Sequence, residues 1–528
     1  MSYIQPNSRI EFFDDIGISQ DYNDTLYFPT LAAKDTYFSN INRLAHVDRC
    51  YYARENRGYV RVELPMNTMI HAQYMRFRNT SYENKWWYAF VTDVIYVNDN
   101  TTEVQFELDP MMTWMGEFNI SPCFVERQHS ETDEIGDNLV EENLNLGDYI
   151  TEGYEVSGHF QNKKIMMITA LHPTSEQAPF PWEEGGYYGG IYSGLSIGTT
   201  NSPAAANRVI EIMTQMNRTD ELIFIQMVPS DFVCAWGSTE PKSYDVSASK
   251  PYTTIDNYTP RNNKLFTYPY KCLSVFNCEG DSVDLKYEYF STENCGFNLK
   301  GMMGLDSVIS CIPKNYMNEP LSHTNTINMR NFPKCSWTSD TYKAYIAQLQ
   351  SSVPTNLLAS SIPALPAFAQ VAGLTMAGYS FANESMALTR MGSVMGGIGA
   401  VGGINKLIAS QLIPPMMPNQ VHGNQSSDNL YASNQKEFYF YKKSIRGETA
   451  KIIDDYFTMF GYADRTVHVP NMNARQRFTF IKTQACKINC RCPASDADFI
   501  ENLFNRGIRF WKNHTQIGNY TDDNLPIA

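Results

Sequence analysis

At 528 residues the chain exceeds what one hydrophobic core sustains, because single cores stop growing at roughly 250 to 300 residues, so two to four domains are expected. Its content of 43% apolar and 13% aromatic residues against 19% charged excludes an intrinsically disordered chain. The net charge of -14 argues against a protein that grips nucleic acid, since that binding rests on Lys and Arg neutralising phosphates.

The first thirteen residues, MSYIQPNSRIEFF, lack a basic stretch followed by an apolar run, so no secretory signal is expected and synthesis ends in the cytosol. Residues 59–64, YVRVEL, and 70–77, IHAQYMRF, alternate with period two and read as strands. Residues 86–97 are dense in β-branched and aromatic residues, and 102–108, TEVQFEL, alternates again. Asn98, Asp99 and Asn100 between them tolerate left-handed backbone, so 86–108 predicts a hairpin.

From 121 to 260 the pattern is mixed, as in an exposed insertion domain with long loops. Residues 138–146 are polar and loop-like, 165–170 and 222–228 read as buried strands, and 203–217 has helical spacing. Gly185, Gly186, Gly189 and Gly190 alternate with tyrosines but precede no Lys-Ser or Lys-Thr, so they form no phosphate cradle. Strands resume at 265–276 and 282–290.

Near the carboxyl end, 449–460 predicts a helix with Ile452, Ile453, Tyr456, Phe457 and Phe460 on one face and Gly461 as its left-handed cap. Residues 478–482 read as a strand. A second helix starts at Ser495 as N-cap, with Asp498 three residues on, carries Phe499, Leu503 and Phe504 as its stripe, and closes at Gly507.

One segment breaks this composition. Residues 353–418 hold three charges, Glu384, Arg390 and Lys406, but eight glycines and six methionines. Pro363, Pro366, Gly373, Gly378 and the run from Gly396 to Gly403 interrupt every stretch that approaches the ~20 apolar residues of a spanning helix. Glycine in an element interior also costs roughly 0.5 to 1 kcal/mol against alanine, which makes a poor core element. The reading that fits is an apolar loop that exposes its surface to a partner such as a bilayer. Its apolar positions are Leu357, Leu358, Ile362, Leu365, Phe368, Val371, Leu374, Met376, Met391, Val394, Met395, Ile398, Val401 and Ile404. The plainer reading is a Gly/Ala-rich buried helical hairpin or a linker. Pro414, Pro415 and Pro418 close the segment, and 419–435 is polar and hinge-like.

Catalytic chemistry finds no foothold in the motifs. Neither H-E-x-x-H nor a P-loop occurs in the sequence, and no G-x-G-x-x-G follows a predicted strand. His129 has no second histidine nearby and reads as a satisfied surface or interface residue. The adjacent pairs Asp14-Asp15 and Asp454-Asp455 point apart and read as solvated faces. Eleven cysteines, an odd number, read as free thiols. Cys486, Cys490 and Cys492 cluster as C-x3-C-x-C without the second ligand pair of a zinc site. No catalytic residue, cofactor or metal is expected.

Three stretches carry a family resemblance. The first is 84–115, NKWWYAFVTDVIYVNDNTTEVQFELDPMMTWM, continuing into FVERQH at 124–129. The second is KLFTYPY at 264–270. The third comprises Phe460-Gly461-Tyr462, Pro470-Asn471, FTFIKT at 478–483, Gly507-Ile508 and Ile517-Gly518-Asn519-Tyr520, in that order. The chain resembles the distal tail knob proteins of the small short-tailed bacteriophages grouped as Picovirinae, which infect Gram-positive hosts. Residues 130–260 match little. The family carries an apolar Gly/Ala/Met-rich insertion where 353–418 falls.

The resemblance implies a multidomain, mainly β protein with some α. In it, β-barrel-like tail-tube domains form a hexameric ring or tube, and the long apolar loops plug the lumen and then penetrate the host cytoplasmic membrane. The implied partners are sister copies, other tail proteins (lower collar or tube, and appendages) and phage DNA in transit without specific binding, all in the virion tail tip. The domain order expected is 1–124 as an amino-terminal β tube domain, 125–260 as an exposed insertion, 261–352 as a β tube domain, 353–418 as the membrane-active loop and 419–528 as an α+β part completing the tube domain. The alternative is a receptor-binding or cell-wall-degrading tail protein.

Overall fold

The computed structural model describes residues 7–14, 16–50, 58–80, 83–170, 182–215, 221–304, 307–332, 334–337, 423–424 and 436–527. The described fold is mainly β with few helices. It divides into two compact units interleaved along the chain: Met1–Ile150, Tyr252–Lys271 and Ser444–Ala528 make the first, Thr151–Pro251 and Cys272–Lys443 the second.

The first unit is built on two large sheets, and Asn119–Ile120 pairs with Ile488–Asn489 in a short two-stranded third. In the larger, the strand order is Ala45–Cys50, Ser8–Phe13, Tyr74–Asn79, Trp87–Asn98, Thr101–Leu108 and Tyr59–Val62. The expected hairpin pairs Ala89 with Leu108 at its base and Asn98 with Thr101 at its tip. Alternate residues of these strands enter two cores. Ile10, Phe12, Met75, Phe77 and Val104 pack on one side, while Phe13, Tyr74, Tyr88 and Phe90 pack on the other.

The second sheet of this unit orders Asp24–Leu26, Ile508–Trp511, Phe478–Gln484, Cys123–Gln128 and Tyr462–His468. Asp24–Leu26 runs parallel to 509–511, so distant parts of the chain share one ladder. Helices Gly447–Phe460 and Ala494–Arg506 end at Gly461 (φ 64°) and Gly507 (φ 101°), the caps read from the sequence. At Gly461 only glycine fits, because a Cβ there would lie 2.2 Å from the carbonyl oxygen of Gln128.

Several local expectations need correction. The strand read at 70–77 begins at Tyr74, because a helical turn at Met66–Met69 occupies the residues before it and leaves Ile70 in a turn. Pro493, not Ser495, is the N-cap, since a proline tolerates the amino-terminal boundary and starts the helix earlier. Ile452 is 71% exposed although it sits among apolar helix residues. The stripe of the last helix buries Ile500, Leu503 and Phe504 and leaves Phe499 exposed. Residues 263–266 and 287–289 form 3-10 turns, so the neighbouring strands shrink to Lys271–Phe276 and Ser282–Leu285.

In the second unit a six-stranded sheet orders Trp182–Tyr188, Ile191–Thr200, Lys163–Thr169, Leu222–Pro229, Lys334–Trp337 and Gly423–Asn424. The Gly/Tyr stretch forms a tight hairpin, because Gly189 and Gly190 both take positive φ, as a two-residue turn requires. Helix Pro203–Gln215 lays Ala206, Val209 and Met213 against Met167, Trp182 and Leu222. A second sheet pairs Lys242–Ala248, Cys295–Met302, Val308–Tyr316 and Glu319–Leu321, and Ile327–Met329 adds to Val308–Tyr316. A third orders Tyr149–Val156, Tyr439–Ile445, Lys271–Phe276 and Ser282–Leu285.

Candidate functional site at the base of the apolar segment

The apolar positions singled out between Leu357 and Ile404 lie outside the described residues, as does the polar stretch 425–435. The nearest described residues on either side of the segment are 334–337 and 423–424. The strand Lys334–Trp337 pairs with the buried strand Leu222–Pro229, setting Phe224 opposite Ser336 and Gln226 opposite Lys334. Gly423–Asn424 then pairs back on it, Ser336 opposite Asn424 and Trp337 opposite Gly423. Directly opposed residues of an antiparallel ladder sit roughly 4.5 to 5.5 Å apart between Cα atoms. The chain therefore leaves the sheet at Trp337 and re-enters it at Gly423 from neighbouring positions.

A second tie holds the same two flanks. Asn277, fully buried, accepts from the backbone N–H of Glu279 (2.8 Å) and Asp281 (3.1 Å), which closes a turn with Cys278 and Gly280 at positive φ. The turn directs Glu279 to the backbone, where it accepts from Arg330 N (3.0 Å) and Asn331 N (2.7 Å). Lys436 donates to Glu279 at 2.6 Å and to the carbonyl of Asn331, and its ammonium lies 4.9 Å from the Phe332 ring centre. Burial draws Lys436 below the ordinary lysine pKa, while Glu279 opposes that shift.

Beside it, Glu437 accepts from the Ser157 hydroxyl and from Gly158 N at 3.1 Å. Burial pushes its carboxyl above the usual range, and these two donors hold it back. Phe438 anchors the leg in the core against Phe160, with ring centres 5.8 Å apart. Sequence reading passed over all of these residues. The available signal was the turn pattern Asn277-Cys278-Glu279-Gly280 and the Lys436-Glu437 pair where the polar stretch meets a strand.

The residues weighed for chemistry hold the framework of the first unit instead. His129 is not a surface residue: it is buried, its Nδ1 accepts from Phe480 N at 2.8 Å and its Nε2 donates to Thr458 O at 3.1 Å. Burial pushes its pKa down to about 3, so it stays neutral. Asp454, expected on a solvated face, is fully buried. Segment 252–271 covers that flank of the helix and supplies Tyr258 OH (2.7 Å), Arg261 N (2.9 Å) and Asn262 N (3.0 Å) as donors. Asp455 is half-exposed and pairs with Arg261. Asp15 lies outside the described residues. Cys486 is buried, Cys490 and Cys492 are half-buried, and all three are free. Among the described residues no helix is long and apolar enough to cross a membrane.

Two family profiles match the chain. One, the carboxyl-terminal domain of the tail knob protein gp9 of Bacillus phage phi29, matches residues 236–525, more than half of the sequence. The chain belongs to the tail knob family. The other, the amino terminus of the caudoviral major tail protein, matches residues 6–119, which contain the larger sheet of the first unit.

Full-length relatives agree with this assignment. The tail knob protein gp9 of Bacillus phage B103 is 23% identical, and that of Bacillus phage phi29 is 24% identical. Each match covers 99% of this chain and 100% of the relative. Among solved structures, the tail knob protein gp12 of bacteriophage C1 superimposes with a TM-score of 0.64 at 15% identity over 98% of this chain and 100% of that one, a likeness of fold. As a tail knob the chain is a structural component of a podophage virion tail, and the strands Lys334–Trp337 and Gly423–Asn424 and the Glu279–Lys436 pair lie within the span of the gp9 profile.

Proposed function

We propose that this tail knob chain forms a hexameric conduit for genome ejection, and that its segment 353–418 plugs the lumen and then penetrates the host cytoplasmic membrane. The observation that carries the reading is the ladder at Ser336, Trp337, Gly423 and Asn424, because it makes the apolar segment an excursion whose ends are fixed together on a sheet. A segment so held is free to change its surroundings without unravelling the fold that bears it. Six copies multiply its effect: at about 25 cal/mol per Å², a few hundred Å² of apolar surface per copy supplies tens of kcal/mol to a ring. Neighbouring copies also satisfy backbone groups that no single Gly-rich loop satisfies in lipid.

An acidic chain suits the conduit, since a wall of net negative charge repels DNA and lets it slide. Other tail proteins are its neighbours in this reading. Aspartate at Leu358, Leu365, Met395 or Ile398 tests the membrane role, because a charge near the bilayer centre costs about 2.5 to 3.5 kcal/mol. Dye release from liposomes is expected to fall sharply with each substitution, and unchanged release overturns the role.

A second reading, recognition of the host surface by the 130–260 region, draws on one observation. Tyr187, Ile191 and Tyr192 are 54%, 57% and 69% exposed around the Gly189-Gly190 turn. Binding of the whole protein to purified cell walls, compared with a Tyr187→Ser/Tyr192→Ser variant, tests it, and equal binding by the two removes the tip from consideration.

A further inference from the structure

Arg9 and Arg78 stand directly opposite one another on neighbouring antiparallel strands of the first unit's larger sheet. Like charges in that position repel, and a sheet ordinarily avoids them. The next opposed pair on the same face is Glu11 with Arg76. Glu11 is 2% exposed and serves three guanidinium groups: Arg9 at 2.9 Å, Arg43 at 2.8 Å and Arg76 at 2.7 Å. Those three arginines therefore share one buried carboxylate, and Arg78 stands beside them opposite Arg9. Among the described residues Asp48, 3.6 Å from Arg9, adds an exposed carboxylate.

Trp86 fixes the geometry. The guanidinium carbon of Arg76 lies 4.1 Å from its ring centre and that of Arg78 lies 4.6 Å away. The face thus presents a rigid surplus of positive charge on a chain of net charge -14, with Arg9 33% and Arg43 36% exposed. Held guanidinium forks of this kind bind planar oxyanions with little further ordering.

The same unit carries the complement. From residue 128 to residue 162 the chain has no Lys or Arg, and Glu131, Glu134, Asp137 and Asp148 of that run are exposed. Long-range repulsion from the acidic chain disfavours DNA as the ligand. Within one Debye length, about 8 to 10 Å, local complementarity decides, which favours a protein surface.

We infer that the Arg9–Arg43–Arg78 face is a docking surface for the acidic 131–148 run of a second copy of this chain. A contact between two different patches is head-to-tail and generates a ring when its rotation closes. The inference rests on the reading of the chain as a multi-copy ring.

Sedimentation of the full chain across concentration tests it. The wild type is expected to assemble. An Arg43→Glu/Arg78→Glu variant with an unchanged melting temperature is expected to need at least tenfold more protein to do so. Adding Glu134→Lys/Asp137→Lys on that background is expected to restore assembly. An Arg78→Lys chain treated with carbodiimide provides a second readout that tolerates the fold, with an intermolecular amide to Glu131, Glu134 or Asp137 expected by mass spectrometry. Assembly unaffected by the reversals, with no such crosslink, overturns the contact and leaves the ring standing. A wild type that stays monomeric throughout overturns both. Loss of binding to a short DNA duplex with assembly unchanged would assign the face to nucleic acid and overturn the inference as well.

Discussion

Lys436 and Glu279 meet at 2.6 Å with 4% and 9% of their side chains exposed, and this ion pair joins the two flanks of the apolar segment. Breaking a buried pair leaves one charge without compensation, which costs about 3 to 5 kcal/mol. Lys436→Met alone is expected to destabilise the protein by about 3 kcal/mol in urea denaturation. The double variant Lys436→Met/Glu279→Gln is expected to lose less than the sum of the two single changes. Additive losses would show that the two groups do not stabilise one another.

The buried Asp454 and the half-exposed Asp455 should differ sharply. Asp454→Ala strands Tyr258 OH and the N–H groups of Arg261 and Asn262, and hydrogen bonds to a charged acceptor contribute about 1.5 to 3 kcal/mol each. A loss of about 3 kcal/mol or more is expected. Asp455→Ala removes an exposed ion pair and is expected to cost under about 1 kcal/mol. Thermal denaturation of the two variants ranks them.

His129 makes stability depend on acid. Its folded pKa of about 3 lies below the ordinary 6.5, so the unfolded chain takes up the proton first as pH falls. The stabilisation is complete above pH 6.5 and is lost progressively toward pH 3, by at most roughly 5 kcal/mol. His129→Gln is expected to be less stable at pH 7, through its altered bonds to Phe480 and Thr458, yet to show a shallower loss between pH 6.5 and 4. Parallel denaturation curves across that window would contradict this origin.

Gly461→Ala is expected to destabilise severely, because the new Cβ meets backbone at 2.2 Å and φ is 64°. Gly153→Ala, where nothing lies within 4 Å, is expected to be neutral within about 0.5 kcal/mol. Melting temperatures distinguish the two.

Local order was legible where local physics decides it. The 87–108 hairpin follows from period-two alternation around an Asn-Asp-Asn turn, and the helix ends follow from Gly461 and Gly507. Burial of Asp454 was hidden because the donors that cover it come from 258–262, nearly 200 residues earlier, and a helical wheel carries no such information. The pairing of Asp24–Leu26 with 509–511 was hidden for the same reason. The base of the apolar segment escaped because its return strand, Gly423–Asn424, is too short for any periodicity. Composition marked the excursion itself, while only the ladder revealed that its ends meet.

That meeting provides the most direct test of the central claim. Trp337 and Gly423 are opposed in register, so residues 338–422 can be replaced by a two-residue Asn-Gly turn without moving either strand. Dye release from liposomes by this shortened protein is the decisive measurement, made alongside its melting temperature. The account predicts an unchanged fold and no release. A folded protein that still releases dye at the wild-type rate would contradict it.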